Sequence, residues 1–194
     1  MPTSASPRYT RTAIILHWVV AAMVILNVAL AWTWNNVPER FAQQVTNTHK
    51  SIGIFMLGFV VVRILWRLGH APRPLDTPLP RWERLGVGAV HALLYVLIVA
   101  MPLSGWLYDS AWKDAPSYPI DFLGLAEMPR IAWVANLPLE RKEAVDALFG
   151  EIHIWLSYLL YLLFAAHVIG ALKRQRLDKD PVLRRMSLRR AQRD

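Results

Sequence analysis

Apolar residues gather in four long runs along the 194-residue chain, at 12–34, 51–68, 85–108 and 152–172, with polar residues concentrated between them. Each run is close to the roughly 20 residues a helix needs to cross the hydrocarbon of a bilayer. Backbone groups in lipid must find partners within their own segment, so helix is the expected state of each run. The pattern predicts an all-α integral membrane protein, a four-transmembrane-helix bundle forming one domain over 1–194. Trp32, Trp34, Trp66, Trp106, Tyr108 and Trp112 fall near the ends of the runs, where interfacial anchors belong. The first run is too long for the core of a signal peptide and no A-x-A site follows it, so it reads as a retained span.

The polar intervals set orientation. Sixteen basic residues lie on the side of the two termini and the second connection, among them Arg11, Arg81 and Arg84 and a cluster from Lys173 to Arg193; six lie on the other side. By the positive-inside rule both termini are cytoplasmic. The second connection, from His70 to Pro80, is rich in proline and predicts a stiff extended linker. The third, roughly 109–150, is too long to be structureless. It predicts a short helix over 139–148 and a partly packed cap on the outer end.

Composition sharpens this picture. Apolar residues make up 55% and charged residues 19% of the chain, against about 25% charged in an ordinary soluble domain. The net charge of +8 sits at the ends of apolar runs, which fits anionic lipid and topology and not nucleic acid. There is no cysteine, which excludes disulfides, thiolate metal sites, iron–sulfur clusters and covalent haem attachment through C-x-x-C-H. A bound cofactor must therefore use other ligands.

Histidine is the obvious one. Of His17, His49, His70, His91, His153 and His167, all but His70 lie within or at the edge of a run. Ionisable groups at membrane depth are costly and usually functional. His153 and His167 stand 14 residues apart, about 1400° of helical rotation and within about 40° of four whole turns, with a rise of roughly 21 Å. Both rings leave one face, one near each side of the bilayer, as two stacked haems sharing a ligand helix require. Ser157, Leu160 and Phe164 lie between them on that face and are expected to fill the gap. Two separate polar contacts between helices would be the plainer explanation, but it leaves the register unexplained.

Depth sorts the partners, since adjacent spans alternate in direction. His49 and His153 fall on the outer side, and His17, His91 and His167 on the inner side. The outer haem has one available pair, His49 with His153; the inner has three candidates for two positions, and depth does not choose between His17 and His91. Paired neutral imidazoles give a six-coordinate iron with no open site, suited to electron transfer. Gly53 follows His49 by one turn, where a small residue suits close approach of a macrocycle or of a neighbouring helix. Arg63 repeats the 14-residue spacing after His49. It is placed to pair with a haem propionate, or to snorkel to the inner surface.

Several segments resemble the bacterial cytochrome b561 family: Arg8-Tyr9-Thr10 through Leu16-His17-Trp18; His49-Lys50-Ser51-Ile52-Gly53 into Val62-Arg63-Ile64-Leu65; His91 to Tyr95; Met101-Pro-Leu-Ser-Gly105; His153 with His167; and the basic ending around Pro181 to Met186. The resemblance covers nearly the whole chain. It implies two non-covalent haems b in a multi-pass protein of the bacterial inner membrane, His17 with His167 for the inner haem and His49 with His153 for the outer. His91 then becomes a quinone-site candidate. The family includes a membrane superoxide oxidase that passes electrons to ubiquinone, so the expected activity is transfer from periplasmic superoxide to ubiquinone. Lys50, beside His49, is one positive charge for an anionic donor, although the outer connections hold nine acids against six bases. The alternative is an anchor subunit passing electrons between quinone and a soluble redox partner, such as a hydrogenase or formate dehydrogenase. A haem-free transporter or sensor would leave the histidine register without a purpose.

Overall fold

The computed structural model describes residues 9–70, 80–122, 126–180 and 182–188, without the side chains of 121 and 122. Its elements are α1 (Arg11–Thr33), α2 (Glu39–Gly69), α3 (Arg81–Ala111), a hairpin of β1 (Ile120–Phe122) and β2 (Ala126–Met128), α4 (Ala132–Ala135), α5 (Leu139–Arg176) and α6 (Val182–Arg185). Among the described residues, four helices, α1, α2, α3 and α5, are long and apolar enough to cross a membrane. The proline-rich segment 71–79 and the basic residues Arg8, Arg73, Arg189, Arg190 and Arg193, which entered the sequence argument, lie outside the described residues.

Prolines set the helix starts. Pro38, Pro80 and Pro138 immediately precede α2, α3 and α5, each with φ between −51° and −56°. A ring-fixed φ and a missing N–H cost nothing where the helix has no partner for that group anyway. Glu39 and Glu140 then place negative charge in the first turns of α2 and α5, against the positive end of the helix dipole. α1 instead uses Thr10, whose hydroxyl accepts from the Ala13 amide at 3.2 Å.

The helices run past the apolar segments that announced them. α5 is 38 residues long and continuous from Leu139, so the separate short helix expected over 139–148 is instead the outer end of the fourth span. A helix of that length extends roughly 57 Å, well beyond the ~30 Å hydrocarbon layer. The charged residues of 139–151 are therefore the part that stands in water. α2 likewise begins at Glu39, three turns before the apolar run.

Two glycines bring α3 and α5 together, the most extensive helix pairing among the described residues. A Cβ on Gly105 would lie 3.1 Å from Cε1 of His153, and a Cβ on Gly150 would lie 3.3 Å from Cε2 of Tyr108. The two contacts are reciprocal and one turn apart: a glycine of each helix faces a ring of the other. Exposed Leu65, Leu85, Trp155, Leu162 and Ile169 cover the outside of the bundle, where lipid would lie. The core is a cluster of Val20, Val24, Met56, Val60, Leu97, Ile98, Leu160 and Leu163, two residues from each long helix. Leu160 joins it as expected. Leu163 takes the place foreseen for Phe164, and the Ser157 hydroxyl turns back to donate to the Ile154 carbonyl at 2.7 Å.

The third connection folds as a cap. Its hairpin pairs Ile120 with Met128 and Phe122 with Ala126, and β1 lies against α2. Buried Asp109 fastens it: Lys50 reaches one carboxylate oxygen at 2.5 Å and Arg130 the other at 3.0 Å. Arg130 also donates to the Tyr118 carbonyl, the Ile131 amide donates to Ser110 Oγ, and Trp106 donates to the Pro129 carbonyl at 3.1 Å. Trp106 and Tyr108 are thus internal fasteners of cap and helix pair. At the other end, buried Arg174 pairs with Asp180, Gln175 accepts from the Leu183 amide, and Trp18 donates to the Met186 carbonyl. These contacts fold α6 back against α1 and α5.

Gly150→Leu is expected to lower the melting temperature of the detergent-solubilised protein, a destabilisation of about 1–3 kcal/mol, because the side chain must displace Tyr108. Gly58→Leu, where a Cβ meets nothing within 4 Å, should leave the melting curve in place. Equal melting temperatures for the two variants would contradict the close α3–α5 contact.

Candidate histidine sites

The core cluster separates two layers of histidine. On one side of it the rings of His49 and His153 face each other with centroids 6.3 Å apart; on the other, His17 and His167 stand 6.1 Å apart. An imidazole nitrogen lies about 2.0–2.1 Å from a first-row metal ion and roughly 1.1 Å from its ring centre, so two imidazoles on opposite sides of one ion have centroids roughly 6.3 Å apart. Both pairs have that separation. His91 comes closer to His167, at 5.0 Å, which is too short for the same arrangement.

The nitrogens of the outer pair are oriented by the protein. His49 Nδ1 lies 3.1 Å from the backbone carbonyl of Asn27. A carbonyl only accepts, so Nδ1 carries the proton and Nε2 presents a lone pair. His153 Nδ1 lies 3.0 Å from Ser104 Oγ, and that hydroxyl donates its own proton to the Met101 carbonyl at 2.8 Å. With its proton committed, Ser104 can only accept from His153, which fixes the same tautomer. The outer pair thus offers two Nε2 lone pairs between two helices, as metal ligation requires. Ser104 and Gly105 sit just after Pro102, which interrupts α3, so one short segment of α3 supplies both the orienting hydroxyl and the space for the His153 ring.

The inner layer differs. Arg63 reaches His17 Nδ1 at 3.2 Å, the Tyr95 hydroxyl at 3.0 Å and the Ala13 carbonyl at 3.5 Å. A guanidinium has no lone pair to give, so His17 Nδ1 accepts. Ligation through Nε2 then requires the guanidinium to move to another acceptor, such as a propionate. His91 donates from Nδ1 to the Val87 carbonyl one turn back, at 2.7 Å, and among the described residues no hydrogen bond reaches its Nε2. His70 stacks on Trp66 at the end of α2, with centroids 4.1 Å apart, away from both layers.

The structure brings together every histidine singled out in the sequence except His70, and places Arg63 beside His17. Gly53 is buried between α1 and α3; a Cβ there would lie 3.6 Å from Asn27 Nδ2 and 3.8 Å from Pro102, ordinary contact distances, so the protein alone does not demand glycine. Sequence reasoning missed Asn27, Ser104 and Gly105 as site residues. Ser104 and Gly105 stood inside a matched segment, but only the relative rotation of α3 and α5 shows that they touch His153.

Comparison with known proteins identifies the family. The family model described as prokaryotic cytochrome b561 matches residues 8–187. Cytochrome b561 homolog 2 of Escherichia coli strain K12 is 32% identical over 187 residues, 95% of this chain and 93% of that protein. Cytochrome b561 homolog 1 of the same strain is 26% identical over 185 residues, 94% of this chain and 98% of that protein. A protein named probable superoxide oxidase CybB, of Yersinia pestis, is 29% identical over 190 residues, 92% of this chain and 95% of that protein. The chain, a multi-pass helical membrane protein with facing histidine pairs, belongs to the prokaryotic cytochrome b561 family of electron-transferring, haem b-binding membrane cytochromes.

Proposed function

We propose that this cytochrome holds two haems b, one between His49 and His153 and one between His17 and His167, and carries electrons from superoxide at the periplasmic side to ubiquinone at the cytoplasmic side. The observation that carries the reading is the pair of 6.3 and 6.1 Å histidine separations on opposite sides of the core. The name of the Yersinia relative supports superoxide as donor.

When bound, haem b supplies an iron that changes oxidation state by single electrons. The chain does the rest. The four imidazoles would hold the two irons in pairs and leave no site open to dioxygen. Asn27 and Ser104 hold the outer pair in the ligating tautomer. Arg63 would pair with a propionate, where its fork suits a carboxylate, leaving His17 Nδ1 to hold the ring proton. Gly53, one turn from His49, would let a macrocycle approach the backbone closely. Two superoxide anions each give up one electron and leave as dioxygen. One ubiquinone takes both electrons and two protons to become ubiquinol. His91 is the quinone-side residue: its Nε2 can take up a proton from the cytoplasmic side and pass it to a quinone oxygen.

The purified protein should contain about two acid-acetone-extractable haems per chain with low-spin, six-coordinate spectra. His17→Leu should lose the inner haem, whereas His91→Leu should keep both and slow ubiquinone reduction. Loss of a haem from His91→Leu with both retained in His17→Leu would exchange the two roles. Superoxide-driven ubiquinone reduction by the purified chain alone is expected; activity only with a co-purifying soluble subunit would favour the anchor role.

A reporter fused after Asp194 should behave as cytoplasmic and one inserted near Asp121 as periplasmic, following the basic-residue asymmetry. The reverse result would place His49 and His153 on the cytoplasmic side and reject superoxide entry there.

A further inference from the structure

The two histidine layers differ in what lies behind the ligating rings. Both outer rings donate from Nδ1 to a protein acceptor, His49 to the Asn27 carbonyl at 3.1 Å and His153 to Ser104 Oγ at 3.0 Å. An acceptor at Nδ1 pushes electron density toward Nε2 and makes the imidazole a stronger base toward iron. A more basic ligand favours the ferric state. Among the described residues, the cations on this side, Lys50 and Arg130, share the Asp109 carboxylate at 2.5 and 3.0 Å, and neither donates a hydrogen bond to a ligating ring as Arg63 does to His17.

The inner layer has the opposite surroundings. His17 meets the Arg63 guanidinium, and among the described residues Arg63 pairs with no carboxylate; its partners are a phenol, a carbonyl and the imidazole itself. His167 has ring contacts with His17 and His91 and, among the described residues, no hydrogen bond to its nitrogens. A positive charge beside an iron site in a low-dielectric interior favours the ferrous state, which carries one positive charge fewer. The sign is the same whether the guanidinium stays near His17 or neutralises a propionate of the same haem.

Resting on the two-haem reading above, we infer that Ser104 and Arg63 are positioning residues that set a potential gradient: Ser104 holds the outer centre at the lower midpoint potential and Arg63 holds the inner centre at the higher one. One electron leaves the outer centre and reduces the inner; no bond forms or breaks and no proton moves in that step. The direction of electron flow is thus written into the hydrogen-bond partners of the ligands.

Optical potentiometry of the haem-loaded protein tests this. The wild type should resolve into two one-electron waves, with His49→Leu removing the lower. Ser104→Ala should raise the lower wave by about a tenfold change in its equilibrium, ~59 mV for one electron, and Ser104→Thr should restore it. Arg63→Gln should lower the upper wave, and Arg63→Lys should return it toward the wild-type value. A merely structural role for Ser104 would cost haem or stability without moving the midpoint of the haem that remains. Two haems whose waves coincide, removal of the upper wave by His49→Leu, or unmoved midpoints in both Ser104→Ala and Arg63→Gln would overturn the inference while leaving the two-haem reading intact. A wild type with one haem would instead refute the reading on which it rests.

Discussion

Hydrocarbon offers a backbone amide no partner, so each segment that crosses it must close its own hydrogen bonds as a helix. That constraint ties side-chain direction to sequence spacing over the full thickness of the membrane. A 14-residue interval returns to nearly the same face roughly 21 Å further on, and the chain uses the interval twice, from His49 to Arg63 and from His153 to His167. Helix α5 runs unbroken through both of its histidines. One helix can therefore serve both layers, and the second helix can place a ligand in one and a cation in the other. The eight-residue core between the layers follows from the same register, because the residues at helical spacing between two inward-facing positions share their face, as Leu160 and Leu163 do, while Trp155 and Leu162 turn outward.

Close approach of α3 and α5 depends on Gly105 and Gly150, and it is what lets a hydroxyl of α3 touch an imidazole of α5. Pro102 lies within the same turn of α3, where its missing N–H leaves the carbonyl one turn back without its helical donor. In lipid such an interruption is tolerated where neighbouring helices bury it, and Pro102 itself is buried. Outside the membrane the same helix ends in Asp109, Ser110 and Ala111, all buried and holding the cap. Helix α3 is thus both the support of the outer site and the foundation of the structure above it.

The four spans were legible because apolar runs of membrane length have few other uses. Their ends were not. Phe149-Gly150-Glu151 looks like a boundary, yet Gly150 is the place where Tyr108 packs and the helix continues through it. Trp106 and Tyr108 looked like lipid anchors because aromatic residues near span ends usually are; whether such a ring meets lipid or a neighbouring helix depends on rotation about the helix axis, which a sequence does not record. The histidine layers and the depth of Arg63 were legible because they need only helical pitch. Asn27 acts through its backbone carbonyl, a group every residue carries, so nothing in its side chain announces the contact with His49. The separations from His167, 6.1 Å to His17 against 5.0 Å to His91, are likewise distances that a sequence does not record.

The apolar layer between the two histidine pairs has an electrical consequence. Valine, leucine, isoleucine and methionine side chains from all four long helices pack into an apolar layer across the middle of the bundle. Such a layer would oppose the passage of protons and ions, while an electron can tunnel. Passage between the layers would then be a net movement of charge, uncompensated within the protein, over roughly 21 Å of a ~30 Å barrier. A full crossing is worth about 2.3 kcal/mol per 100 mV for each elementary charge, so this portion corresponds to about 1.6 kcal/mol. Inward transfer would run against a membrane that is negative inside. The cell's own voltage would then brake the cytochrome when the membrane is fully energised and release it when the membrane is discharged.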